Sequence, residues 1–153
     1  EKVVAAMKQA GKRQGGGGSI QVKHDALEFP HRWKPEKKVR VGMDTILFDR
    51  CLSLVTLPGE PFVDLQLDLA AKSEVEYTFL FGYTYTGDGD WADYIPTIEA
   101  AAQGGYGAGY NTFIGLGAGE AMVDRALINL YQMTGHNFRQ MLDVLVDEVE
   151  KSH

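Results

Sequence analysis

The stretch 51-CLSLVTLPGEPFVDLQLDLAAKS-73 reads as a strand, a corner and a helix in immediate succession. Cys51 to Leu57 is a continuous apolar run, with Cys51 as a small buried residue, of the kind found in strands covered on both faces. Pro58-Gly59 stops it, and Pro61 suits the first position of a helix, where the missing N–H costs nothing. Phe62, Leu65 and Leu69 then recur at i, i+3 and i+7, the core stripe of a helix ending near Ser73.

Working outward, the same grammar repeats. Upstream, Ile20 to Phe29 is an extended segment anchored by Ile20, Val22, Leu27 and Phe29, and Pro30 ends it. Val39-Arg40-Val41 and Thr45 to Phe48 read as short strands, with a turn at Asp49-Arg50. Downstream, Glu76 to Thr84 predicts an aromatic strand in which Tyr77, Phe79, Phe81 and Tyr83 alternate with Thr78, Leu80 and Gly82, most of them belonging to the sheet core. A Gly/Asp-rich loop, Tyr85 to Tyr94, precedes a short helix within Ile95 to Gln103, closed by Gly104-Gly105. A strong helix runs from Gly119 to Met133 and is broken at Thr134-Gly135. Asn137 to Lys151 then predicts an amphipathic helix with Met141, Leu142, Leu145 and Val146 on its apolar face. The alternation of strands and helices implies an α/β fold, a mixed sheet flanked by helices. Residues 1–19 separate as a short N-terminal helix and the glycine-rich linker QGGGGS, leaving 20–153 as one module.

Composition narrows the function classes. The chain has 153 residues, enough for one domain with a core, and its 44% hydrophobic content is that of a globular protein. A net charge of −6 argues against sequence-independent nucleic-acid binding, which needs a clustered positive face. The one local exception, Arg32, Lys34, Lys37, Lys38 and Arg40, reads as a solvated connector. A single cysteine, Cys51, excludes an internal disulfide. No apolar run approaches the roughly 18 residues of a membrane-spanning helix. No signal-peptide pattern is visible, and the compartment stays open.

Glu60 is the residue that needs explaining: a lone carboxylate between Pro58-Gly59 and Pro61, at the C-terminal end of a strand. Two readings stand. The carboxylate lies near the unpaired N–H groups of a helix start and complements them electrostatically. Alternatively it faces the strand ends where α/β sheets bind ligands.

LPGEPF, followed by a helix, an aromatic strand, 93-DYIPT-97 and 104-GGYGAG-109, resembles the neutral/alkaline non-lysosomal ceramidase family, over roughly residues 20 to 133. The resemblance implies that Glu60 and Tyr94 are ligands of a catalytic zinc, with Asp93 and Tyr106 lining the site. It implies a zinc-activated water attacking an amide carbonyl in a lipid-like substrate. The family's zinc histidines lie far upstream, in histidine-rich segments near its N-terminus. None of His24, His31, His136 and His153 falls in such a motif, and Tyr106 is followed by Gly107 where the family has glutamate. The chain is therefore expected to be an incomplete catalytic domain that needs an N-terminal half or a second chain for its histidine ligands. The competing expectation is a non-catalytic module that assembles with a partner chain and exposes apolar surface on its own.

Two further patterns carry less. Asp88, Asp90 and Asp93 suit a hard cation such as Ca²⁺ but have no glutamate at the twelfth position, and a solvated turn is favoured. The stretch 115-GLGAGE-120 opens a helix without the lysine of a phosphate-binding loop, and reads as a close-packed turn with Glu120 in the first helical turn.

Overall fold

The computed structural model describes residues 18–135, so the helices expected at 1–13 and 137–151, and His136, lie outside the described residues. The elements are β1 (Ile20–His31), β2 (Lys34–Phe48), β3 (Leu52–Thr56), β4 (Glu60–Pro61), α1 (Val63–Lys72), β5 (Tyr77–Phe81), β6 (Tyr94–Ile95), α2 (Ile98–Gln103) and α3 (Ala118–Thr134). The main sheet has the order β1-β2-β3-β5. Its first three strands are antiparallel, and β5 runs parallel to β3 after the α1 crossover. β4 and β6 form a separate parallel pair. The fold is α/β with a mixed sheet, as the alternating pattern predicts. Among the described residues no helix is long and apolar enough to cross a membrane.

The basic run is not a connector. Arg32 and Trp33 make the β1–β2 hairpin turn, and Lys34 to Arg40 form the first half of one long strand. Alternation explains this: Val39, Val41, Met43, Thr45 and Leu47 are buried on one face, while charged residues occupy the exposed flank. The β2–β3 turn uses consecutive left-handed residues, Asp49 (φ 48°) and Arg50 (φ 60°), and is pinned where the Asp49 N–H donates to the Ser19 carbonyl at 3.0 Å. Cys51 ends that turn, half-buried, and is not in the strand.

Among the described residues, helices cover one face of the sheet. Leu65 and Leu69 of α1 and Met122, Val123, Ala126 and Leu127 of α3 pack on Val39, Val41, Met43, Val55 and Leu57. Polar groups on this face are paired, as burial demands. The Ser53 hydroxyl donates to Thr78 Oγ1 at 2.9 Å, and Asn129 Nδ2 donates to Thr45 Oγ1 at 3.1 Å. The expectation that β3 is covered on both sides fails, and so does the core assignment of the β5 aromatics. Thr78 and Leu80 are the residues of β5 that turn toward the helices, which leaves Phe79 and Phe81 outward and exposed.

The outer edge of β5 is closed by a side chain. The Gln66 amide of α1 donates from Nε2 to the Thr78 carbonyl at 3.0 Å, and its Oε1 accepts from the Leu80 N–H. One amide thus takes the place of a neighbouring strand. Gln66→Ala strips both partners from this half-buried backbone, and urea unfolding is expected to show a loss of about 1–3 kcal/mol. An unchanged midpoint would contradict the clamp.

Candidate functional site at the Glu60 corner

The corner after β3 is a dense set of backbone contacts. The Leu57 N–H donates to the Phe81 carbonyl at 2.8 Å, and the Pro58 carbonyl accepts from Ala92 N at 2.7 Å. The Gly59 carbonyl accepts from Tyr83 N at 2.8 Å, Glu60 N donates to the Asp93 carbonyl at 2.7 Å, and Phe62 N donates to Ile95 O at 3.0 Å. A Cβ on residue 59 would run into the Asp93 carbonyl, which is why this position must be glycine. Because the chain from Glu60 to Pro61 is committed to β4, α1 starts only at Val63, with Phe62 as its N-cap and Asp64 as its first-turn carboxylate. Pro61 is therefore not the first helical residue, and the helix-capping reading of Glu60 is set aside.

The β4–β6 register places Glu60 opposite Tyr94. The Tyr94 hydroxyl is pushed far above the ordinary tyrosine range, first by the Glu60 carboxylate and then by the Tyr106 hydroxyl. The Tyr83 hydroxyl is raised in the same way, with Glu60 again the largest cause. The physical reason is common to both: a phenolate beside a carboxylate would meet a like charge. The rings assemble edge to face, with Tyr94 and Tyr106 centroids 5.5 Å apart and Phe62 and Tyr94 at 6.3 Å. Trp91 packs on Tyr83 at 5.7 Å.

Of the residues singled out in the sequence, Glu60, Tyr94 and Tyr106 come together. Asp93 joins them through its backbone: its carbonyl meets Glu60, at a left-handed φ of 52°. Gly107, where the family has glutamate, lies under the Tyr94 ring. A Cβ there would stand 2.9 Å from the ring, at φ 79°. Sequence reasoning missed Tyr83, placing it in sheet core. The chain leaves β5 at Gly82, whose own Cβ would meet Pro61 at 2.6 Å, and Tyr83 adopts φ 56°. The glycine interrupting the aromatic alternation is the signal that marks this departure.

Glu60 and Tyr94 set two oxygen-bearing side chains on paired strands. Among the described residues no group of three or more His, Cys, Asp or Glu side chains is placed to hold a metal ion. His31 packs against Phe113 and accepts from the Trp33 N–H at 3.1 Å. The aspartates of the following loop are engaged as anchors: Arg40 Nε and Nη2 donate to Asp88, each at 3.2 Å, and Arg40 N donates to Asp90 at 3.0 Å. The glycine turn before α3 is close-packed: a Cβ on Gly119 would meet Leu65 at 2.8 Å, and Glu120 accepts from Ile98 N at 2.6 Å. Comparison with protein-family models, curated proteins and solved structures found no match.

His24 fastens the loop that carries Tyr83 and Trp91 toward the site. Its Nδ1 lies 2.7 Å from Asp44 and its Nε2 lies 3.2 Å from Asp88. Only the doubly protonated ring donates to both carboxylates at once. The Asp44 bond, then the Asp88 bond, raises the His24 pKa above its ordinary value. A raised folded pKa stabilises fully below the unfolded value near 6.5 and is lost as pH rises through the folded one. Chemical-shift titration is expected to place His24 above about 6.5 and to bring it down in Asp88→Asn. A midpoint unmoved by that substitution would contradict the bridge.

Proposed function

We propose that the chain contributes part of the zinc centre of a ceramidase-like amide hydrolase, with Glu60 and Tyr94 as two of the ligands. The observation that carries this reading is that the two positions picked out by the resemblance are opposite one another in the β4–β6 register, close enough that the Glu60 carboxylate is the largest influence on the Tyr94 hydroxyl. The electrostatics favour a cation: among the described residues, the ion pairs place no lysine, arginine or histidine on Glu60. A hydrolytic zinc takes about three protein ligands plus a water that it acidifies for attack on a carbonyl. The remaining ligands, histidines by the family pattern, come from a part of the protein outside the described residues or from a second chain. Tyr106, exposed at the rim, and Asp93 border the position an amide or lipid-like substrate would take.

A second reading has its own support. The sheet face opposite the helices exposes Ile20, Val22, Phe79 and Phe81, the open apolar surface expected of a non-catalytic module that works by assembly with a partner chain.

Elemental analysis of the purified protein separates the two. Stoichiometric zinc that disappears in Glu60→Ala and falls in Tyr94→Phe is the expected result. Zinc content unchanged in Glu60→Ala would overturn the ligand assignment, and a metal-free protein would favour the assembly reading.

A further inference from the structure

We infer that two copies of this chain associate through the open face of the main sheet. The register sets Val22, Ile46, Leu54 and Phe79 in one row across all four strands, with no charge among them. Ile20 and Phe81 flank this row at opposite corners. Val22 is 59% exposed, Ile20 66%, and Phe79 and Phe81 47% each, while Ile46 and Leu54 are half-buried at the centre. The polar boundary is the His24–Asp44 pair, above which the loop carrying Asp88 crosses the sheet over Gly42.

The area and the shape point to a second copy. Counting about 200 Å² for a whole large side chain, this face leaves on the order of 600 Å² of apolar surface open. That is the upper end of what monomers expose, roughly 300–600 Å², and approaches the ~800 Å² per partner of a stable interface. The face is also self-complementary. Aliphatic side chains line its β1 side and phenylalanines its β5 side. A two-fold axis along the strand direction, between β2 and β3, lays β1 of one copy over β5 of the other. Val22 then meets Phe79 and Ile46 meets Leu54 in an isologous contact, small against large, at the ~10 Å spacing of stacked sheets. The helices stay outside, giving a four-layer assembly with both Glu60 corners at one end.

This inference gives the assembly reading a definite partner and is independent of zinc at Glu60. Light scattering behind size exclusion is expected to give a dimer mass for the parent chain and a monomer mass for Phe79→Glu with its circular dichroism retained. To guard against a charge that merely unfolds the sheet, Val22→Cys and Phe79→Cys are combined on a Cys51→Ser background. A bis-maleimide with a reach of about 8 Å joins two thiols across the ~10 Å between facing sheets, whereas within one chain these positions are three strand spacings apart, about 14 Å, beyond its reach. Treatment with that reagent is therefore expected to give a covalent dimer on a denaturing gel. A monomeric parent at every concentration, or no covalent dimer on crosslinking, would overturn the inference and leave the zinc measurement unaffected.

Discussion

The constraint on which the rest depends is the corner at Pro58-Gly59-Glu60. Within three residues the main chain leaves a buried strand, receives bonds from Ala92 and Tyr83, donates one to Asp93, and enters a second small sheet. Gly59 is required because the Asp93 carbonyl occupies the space of its Cβ. The long segment from Gly82 to Tyr94 has no helix of its own, yet it is held at both ends by this corner and in the middle by Asp88 and Asp90 on Arg40 and His24. The site is thus built from backbone hydrogen bonds first. The side chains of Glu60, Tyr83 and Tyr94 are brought together because their main chains already are.

The consequence is a carboxylate set among phenol hydroxyls and aromatic edges. Glu60 raises both Tyr83 and Tyr94, which keeps the phenols neutral. On the proposed function this carboxylate takes the cation with Tyr94, and further ligands are needed because two oxygen donors hold zinc weakly without imidazole. The open sheet face makes a similar point in apolar terms: among the described residues the mixed sheet has helices on one side, where the usual α/β domain has them on both.

Much of this was legible in the sequence, and the failures have physical causes. The strand, corner and helix of 51–73 were readable because proline and glycine punctuate sharply and Leu65 and Leu69 keep helical period. The α/β class followed from that alternation. Which face of the sheet is covered was not readable: alternation in 77-YTFLF-81 gives two faces, and the aromatic set looks like the core, but the threonine and leucine set is the one beneath the helices. The long β2 was hidden because its charges sit on the exposed flank and read as a connector. Pairing of Glu60 with Tyr94 came from the family resemblance alone, since no local pattern links two residues on different short strands. Tyr83 escaped because a left-handed residue after Gly82 takes it out of the strand's period.

The most direct test of the central claim, that these residues form one site, is a measurement of ring–ring proximity in solution. Nuclear Overhauser contacts between the aromatic protons of Tyr94 and Tyr106, and between those of Tyr83 and Trp91, are predicted from centroid separations of 5.5 and 5.7 Å. Both sets present, with the Tyr94 and Tyr106 contacts weakened by Gly107→Ala, is the expected result. Their absence in a folded protein with all four spin systems assigned would mean that the corner does not gather these side chains, and the site built on Glu60 would fall with it.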